Sequence, residues 1–183
     1  MAPKIYTKTG DDGTTGLFYG GRVRKDSAPI EINGVVDEAQ AALGLARAES
    51  EPGSELNVRL IALEQDLYVL MTEVATAPSN RRKLVPGSTL VTEEMVLSLE
   101  QGIDELLRRF EMPSDFVIPG ENRIAAALDL ARTIVRRAER LAVTDPVEGS
   151  HVITYLNRLS DLLWAMARWQ EGPDHKLSRV RAG

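Results

Sequence analysis

An all-α fold, a five-helix bundle with a glycine-rich N-terminal segment, is what this sequence predicts. Three observations carry the prediction. From Asn33 onward the chain runs in long amphipathic stretches broken by proline and glycine. No segment reads as a convincing strand. At 183 residues and 43% apolar composition the chain suits one domain with a real hydrophobic core.

The elements follow in order. Met1 to about Ile30 is rich in glycine, hydroxyl and basic residues and has no sustained helical period. A first helix is expected from about Gly34 to Glu51, ending before Pro52-Gly53. Ser54 suits the cap of a second, from about Glu55 to Ala77, with Leu60, Leu63, Leu67 and Leu70 on its buried side. Pro78 and the loop SNRRKLVPGST close it. Thr92 suits the cap of a third helix over VTEEMVLSLEQGIDELLRRF. Pro113 and Pro119 keep MPSDFVIPGEN from being helical throughout. A fourth helix is expected from about Asn122 to Thr144 and a fifth from about Glu148 to Glu171. Residues 1–171 form the expected single domain, and 172–183 the expected flexible tail.

Composition removes several chemistries. The chain has no cysteine, which excludes thiolate nucleophiles, disulfides and cysteine-ligated metals. Its net charge of −5 gives no general attraction to nucleic acid or anionic membrane. The first residues, MAPKIYTKTGDDG, contain no apolar signal core, and no apolar run is long enough to span a bilayer. A cytoplasmic protein is expected.

Two segments carry local charge. In the fourth helix, Ile124, Ala127, Leu128, Ala131, Val135, Ala138 and Ala142 form an apolar face. Asp129, Arg132, Arg136, Glu139 and Arg140 fall in a narrow sector elsewhere, with Arg137 somewhat apart. One reading is a solvated face stitched by Asp129–Arg132 and Glu139–Arg136 pairs, each contributing about 0.2–0.5 kcal/mol. The other is an anion clamp, because guanidinium forks match phosphate oxygens. The stripe alone does not decide between them.

The N-terminal TKTGDDGTTGLFYGGRVRKD combines glycines, threonine hydroxyls and cations. Such a segment can turn backbone amides and charge toward an anion. It is not a Walker A loop, since Arg22 and Val23 stand where lysine and a hydroxyl residue are required. A mobile arm fits the composition equally well. Asp11 and Asp12 suit either magnesium or an exposed turn.

Taken together, KIYTKTGDDGTTGL with RVRKDS, ARTIVRRAERLAV and YLNRLSDLLWAMAR resemble the PduO-type ATP:cob(I)alamin adenosyltransferase family. VVDEAQAALGLARAE, LEQDLYVLMTEVAT and FVIPGEN extend the match, in family order, through Trp169. The resemblance implies a homotrimeric helical bundle with ATP bound between subunits. It implies transfer of the 5′-deoxyadenosyl group from ATP to cob(I)alamin, giving adenosylcobalamin and triphosphate. Reduced cobalt is then the nucleophile, so a chain without cysteine is no obstacle.

The same resemblance assigns the site. Thr7, Lys8, Thr9, Gly10, Thr15 and Gly16 would wrap the nucleotide, with Lys25 on its phosphates. Arg132, Arg136, Arg137, Glu139 and Arg140 would complete the ATP site, joined by Asn157. Arg132, Asp37 and Arg136 take the catalytic assignments, Asp37 as the acidic residue orienting Arg132. Phe116 would lie beneath the corrin, excluding the lower axial ligand. Magnesium would bridge the phosphates, with no protein ligand assigned. A cobalamin reductase and an adenosylcobalamin-dependent enzyme are the implied partners.

Three places depart from the family pattern. Gly120-Glu121-Asn122 stands where a glycine pair and a small hydroxyl residue are usual, Asp129 replaces a common histidine, and Ala39-Gln40 replaces leucine–asparagine. These departures motivate a second expectation: a catalytically weak paralogue that carries or senses ATP or adenosylcobalamin.

Overall fold

The computed structural model describes residues 5–178. A short hairpin, β1 (Thr14–Gly16) and β2 (Arg22–Arg24), precedes α1 (Ala28–Glu49) and α2 (Glu55–Val74). A 3-10 turn (Pro78–Lys83) leads to α3 (Glu93–Leu107). Then come β3 (Val117–Ile118), α4 (Arg123–Thr144), α5 (Val152–Glu171), a 3-10 turn (Gly172–Asp174) and β4 (Lys176–Leu177). The five expected helices are therefore present.

Their starts follow from caps. Ser54 Oγ accepts from the Asn57 amide at 3.2 Å, and Thr92 Oγ1 from Met95 at 3.3 Å. Asn122 Oδ1 accepts from Ala125 at 2.8 Å. Each satisfies an amide that the first helical turn cannot pair internally.

α1 packs on α4 and α2, and α5 packs on α4 and α3. Alanine permits the closest of these approaches. Ala39, Ala42 and Ala46 on α1 and Ala131, Ala138 and Ala142 on α4 are all buried. On α3, Gly102 fits beneath Leu162, whose Cδ1 would lie 3.4 Å from an added Cβ. Leu43, Leu60, Leu67, Leu128, Leu156, Leu159 and Leu163 fill the centre. Among the described residues the buried side-chain oxygens of Asn33 and Gln40 have no hydrogen-bond partner, whereas other buried polar groups do: Tyr155 donates to Asp66 Oδ2 at 2.9 Å. Glu73 accepts from Arg81, Ser150 and the Val91 amide.

Three expectations need correction. The first helix begins at Ala28 rather than near Gly34, because Pro29 falls in its first turn, where proline's missing amide costs nothing. The fifth begins at Val152 rather than Glu148, after a turn in which the Ser150 amide bonds to Val147 O. Four short strands exist where none was expected.

The segment expected as a tail carries a short pairing. Lys176 and Leu177 pair antiparallel with Ile118 and Val117, and the Ser178 amide donates to Phe116 O at 2.7 Å. Residues 179–183 lie outside the described residues.

Candidate active site

The N-terminal segment forms a tight, internally bonded loop. Arg22 reaches across it, donating from Nη2 to Thr9 O at 2.5 Å and from Nε to Thr14 Oγ1 at 3.0 Å. Asp12 Oδ1 accepts from the hydroxyl and amide of Thr14, and these bonds hold its carboxyl below the usual range. Thr7 and Thr9 share a hydroxyl contact of 2.8 Å. Lys25 lies against Gly10, since a Cβ there would sit 3.1 Å from its Nζ. Lys8 has φ of 61°, a conformation a non-glycine residue rarely adopts. Thr15 and Gly16 sit on β1, opposite Val23 and Arg22. The structure thus gathers Thr7, Thr9, Gly10, Thr15, Gly16 and Lys25 around one short hairpin.

This hairpin is fastened to the end of α2. The Phe18 amide donates to Ala75 O at 2.9 Å, and Asn80 donates to Tyr19 O and Gly20 O. Among the described residues, no hydrogen bond or ion pair joins it to Arg132, Arg136, Arg137 or Arg140.

The arginine stripe on α4 is only half the self-neutralised face that one reading expected, since Asp129 pairs with Arg132 at 3.0 Å but the second pair does not form. Glu139 pairs with Asn157, which donates at 2.9 Å, and not with Arg136. Arg136 and Arg140 are exposed and have no carboxylate partner among the described residues; Arg140 donates only to Arg136 O, at 3.0 Å. Arg137 pairs with Glu38 of α1. Two guanidinium groups one helical turn apart therefore remain available to an anion.

Asp129 does not belong to the exposed sector. It is 3% exposed, and its Oδ1 accepts from Arg132 Nε at 3.0 Å. Its Oδ2 accepts from Arg168 Nη2 at 2.6 Å. Arg168 in turn donates to both oxygens of Glu171, at 2.7 and 2.9 Å. Asp37 is exposed on α1 and has no ionic partner among the described residues, so within one chain the expected Asp37–Arg132 pair does not form.

Phe116 and Arg132 do come together. Both line a cavity of about 520 Å³ with Val117, Asp129, Trp164 and Arg168, roofed by the 113–117 loop. Phe116 is 82% exposed, so it is not a core plug. The antiparallel pairing with β4 backs this loop. Sequence reasoning missed Trp164 and Arg168. Their four-residue spacing on α5 was the available signal, but it became informative only once α4 supplied Asp129.

Comparison with known proteins bears on what these two groups of residues serve. Residues 5–170 match the family model for cobalamin adenosyltransferase. A corrinoid adenosyltransferase of Citrobacter freundii is 39% identical over 171 residues, spanning 92% of this chain and 95% of that protein. One of Bacillus subtilis is 40% identical, spanning 90% and 85%. The corrinoid adenosyltransferase PduO of Salmonella typhimurium is 36% identical, but this chain spans only 52% of it. Among solved structures, a variant PduO-type ATP:corrinoid adenosyltransferase from Lactobacillus reuteri, complexed with cobalamin and ATP, superposes with a TM-score of 0.85. That match has 29% identity and covers 97% of this chain and all of the other. With the family model spanning nearly all of the bundle, this chain belongs to the PduO-type cobalamin adenosyltransferases.

Proposed function

We propose that this protein transfers the 5′-deoxyadenosyl group of ATP to cob(I)alamin, forming a cobalt–carbon bond at C5′ as the C5′–oxygen bond breaks. The electron pair of reduced cobalt makes the new bond, and triphosphate departs with the pair of the broken one. One observation carries the reading most directly. Exposed Phe116 lines the same cavity as Arg132, on a helix whose next exposed arginines have no carboxylate partner among the described residues.

The chain's own groups have two tasks. The hairpin of Thr7, Lys8, Thr9, Gly10, Thr15, Gly16 and Lys25 holds the nucleotide. Arg132, Arg136 and Arg140 stabilise charge on the leaving triphosphate, while Phe116 covers the lower corrin face. Among the described residues no three carboxylate or imidazole groups converge on a metal site. Magnesium would accompany the nucleotide and offset the charge of its phosphates.

Among the described residues hairpin and stripe are not bonded to each other within one chain, and Asp37 lacks an ionic partner. Both facts support a homotrimer in which one copy's hairpin and Asp37 meet its neighbour's α4, completing the site at the interface. No helix is long and apolar enough to cross a membrane, and the cytoplasm, with a reductase to supply cob(I)alamin, is the proposed setting.

The carrier reading is not favoured: of the departures that motivate it, only Gln40, whose side-chain oxygen is buried without a hydrogen-bond partner among the described residues, has no bonded role. Asn122 caps α4, Glu121 pairs with Lys176 at 3.2 Å, and Ala39 is core. Asp129 is bonded on both oxygens.

The test is an anaerobic assay following cob(I)alamin conversion to adenosylcobalamin by absorbance, with ATP and magnesium. Enzyme-dependent product is expected, and Arg132→Ala should lower kcat/KM by about 100-fold or more with an unchanged circular dichroism spectrum. Wild-type turnover in that variant would remove Arg132 from the site.

A further inference from the structure

Arg132 has one edge committed and one edge free. Its Nε is held by Asp129 at 3.0 Å, whereas its side chain remains 26% exposed on the cavity wall. Asp129 is itself immobilised. Arg168 donates to it at 2.6 Å, and Glu171 grips Arg168 through both carboxylate oxygens. The Arg168 guanidinium lies 5.7 Å from the centre of the Trp164 ring, on the same cavity wall. Side-chain exposures of 4%, 2% and 0% for Asp129, Arg168 and Glu171 exclude water from this chain of contacts.

Charges alternate along it: Glu171, Arg168, Asp129, Arg132. The three buried members sum to one negative charge, which falls next to Arg132 and fixes its guanidinium plane. A charged group already held in one rotamer loses less freedom when it meets an anion. At metal sites, carboxylates that orient a ligating side chain in this way commonly contribute about 10–100-fold to affinity or activity without touching the substrate, and Asp129 stands in the same relation to Arg132.

We propose that Asp129 is a positioning residue for Arg132, anchored by the Arg168–Glu171 pair, and that it keeps the Nη edge of Arg132 free for substrate. This rests on the assignment of Arg132 to the adenosyl-transfer site. It gives a task to the position where this chain departs from the family pattern. It also places within one chain an orienting carboxylate additional to Asp37.

A double-mutant cycle on kcat and KM tests it, using wild type, Asp129→Asn, Arg132→Lys and the double variant in the anaerobic assay. Asp129→Asn should lower kcat by about 10–100-fold. In the Arg132→Lys background, whose ammonium has no guanidinium plane to orient, the same change should cost less than about threefold. Equal losses in both backgrounds, or wild-type kcat in Asp129→Asn, would overturn the proposal while leaving the site assignment intact. A wild-type rate in Arg132→Lys and Arg132→Ala alike would instead overturn the site assignment, and the proposal with it. Asp129→Asn leaves Arg168 with one carboxylate, so it can fail to fold. Asp129→Asn combined with Arg168→Met and Glu171→Gln removes all three buried charges together and is read by the same ratio.

Discussion

Two arginine–carboxylate networks of similar geometry sit on opposite sides of solvent exposure in this molecule. One joins α2 to α3: Arg59 bonds Glu55 at 2.8 Å and Glu105 at 2.6 Å, and Arg109 bonds the same two carboxylates. Its side chains are 24–47% exposed. The other joins α4 to α5 through Asp129, Arg168 and Glu171, all nearly inaccessible. Bond lengths do not separate them. Water does. In the outer network solvent screens each charge and can replace any lost partner, so the pairs contribute little. In the inner one a lost partner leaves a bare charge in a poor dielectric. Only the inner network is stiff enough to position Arg132, and only it borders the Phe116 cavity.

The largest expected effect breaks the inner network. Arg168→Ala leaves buried Glu171 without a cation and Asp129 with Arg132 alone, and should destabilise the fold by about 3–5 kcal/mol. Urea denaturation would read this as a lower midpoint with an unchanged slope. A loss under about 1 kcal/mol would mean that water reaches the pair, and the contrast with the outer network would collapse.

A smaller effect is expected on the outer side. Arg59→Ala removes a cation bonded to two carboxylates, yet should cost only about 1 kcal/mol or less, because Arg109 still bonds both. The same denaturation series checks it. Adenosyl transfer should be unaffected, as Arg59 lies on α2 and does not line the Phe116 cavity.

The two networks also differ in how far the sequence exposes them. Glu55 and Arg59 are four apart on one helix, as are Glu105 and Arg109, so each local pair is readable from spacing. The buried network is readable only in part. Arg168 and Glu171 are three apart, but an arginine on a helix otherwise facing solvent at that spacing looks the same. Asp129 was assigned to the charged stripe because a helical wheel places it beside Arg132. The wheel contains nothing of α5, whose Arg168 draws it into the interior. The helices themselves were legible because proline, glycine and capping residues punctuate them. Phe116 and the hairpin residues are singled out only through family resemblance, whereas the β3–β4 pairing depends on two-residue strands that carry no periodic signal. Sequence therefore reports local electrostatics well. It reports burial of charge poorly, because burial depends on what a second element brings.

The smallest effect sharpens the comparison through pH. The Glu55 carboxyl is held below its ordinary range by Arg109 and then Arg59, and Glu105 chiefly by Arg59. A carboxyl depressed on folding adds stability that is fully present above its unfolded value, about 4.3 for glutamate. That stability fades as pH falls through the lower folded values. Asp66 acts in the opposite sense: burial raises its carboxyl, so protonating it on acidification favours the folded state. Wild type and Arg59→Ala share Asp66, so its contribution cancels in their difference. The Tm gap between them should therefore be constant from pH 7 to about 5 and close progressively below about pH 4. A gap that persists unchanged to pH 3 would mean that Arg59 stabilises by packing its aliphatic stem and not by charge. The outer network would then be a set of contacts that merely happen to be ionic, and its contrast with the Asp129 network would be one of kind as well as of degree.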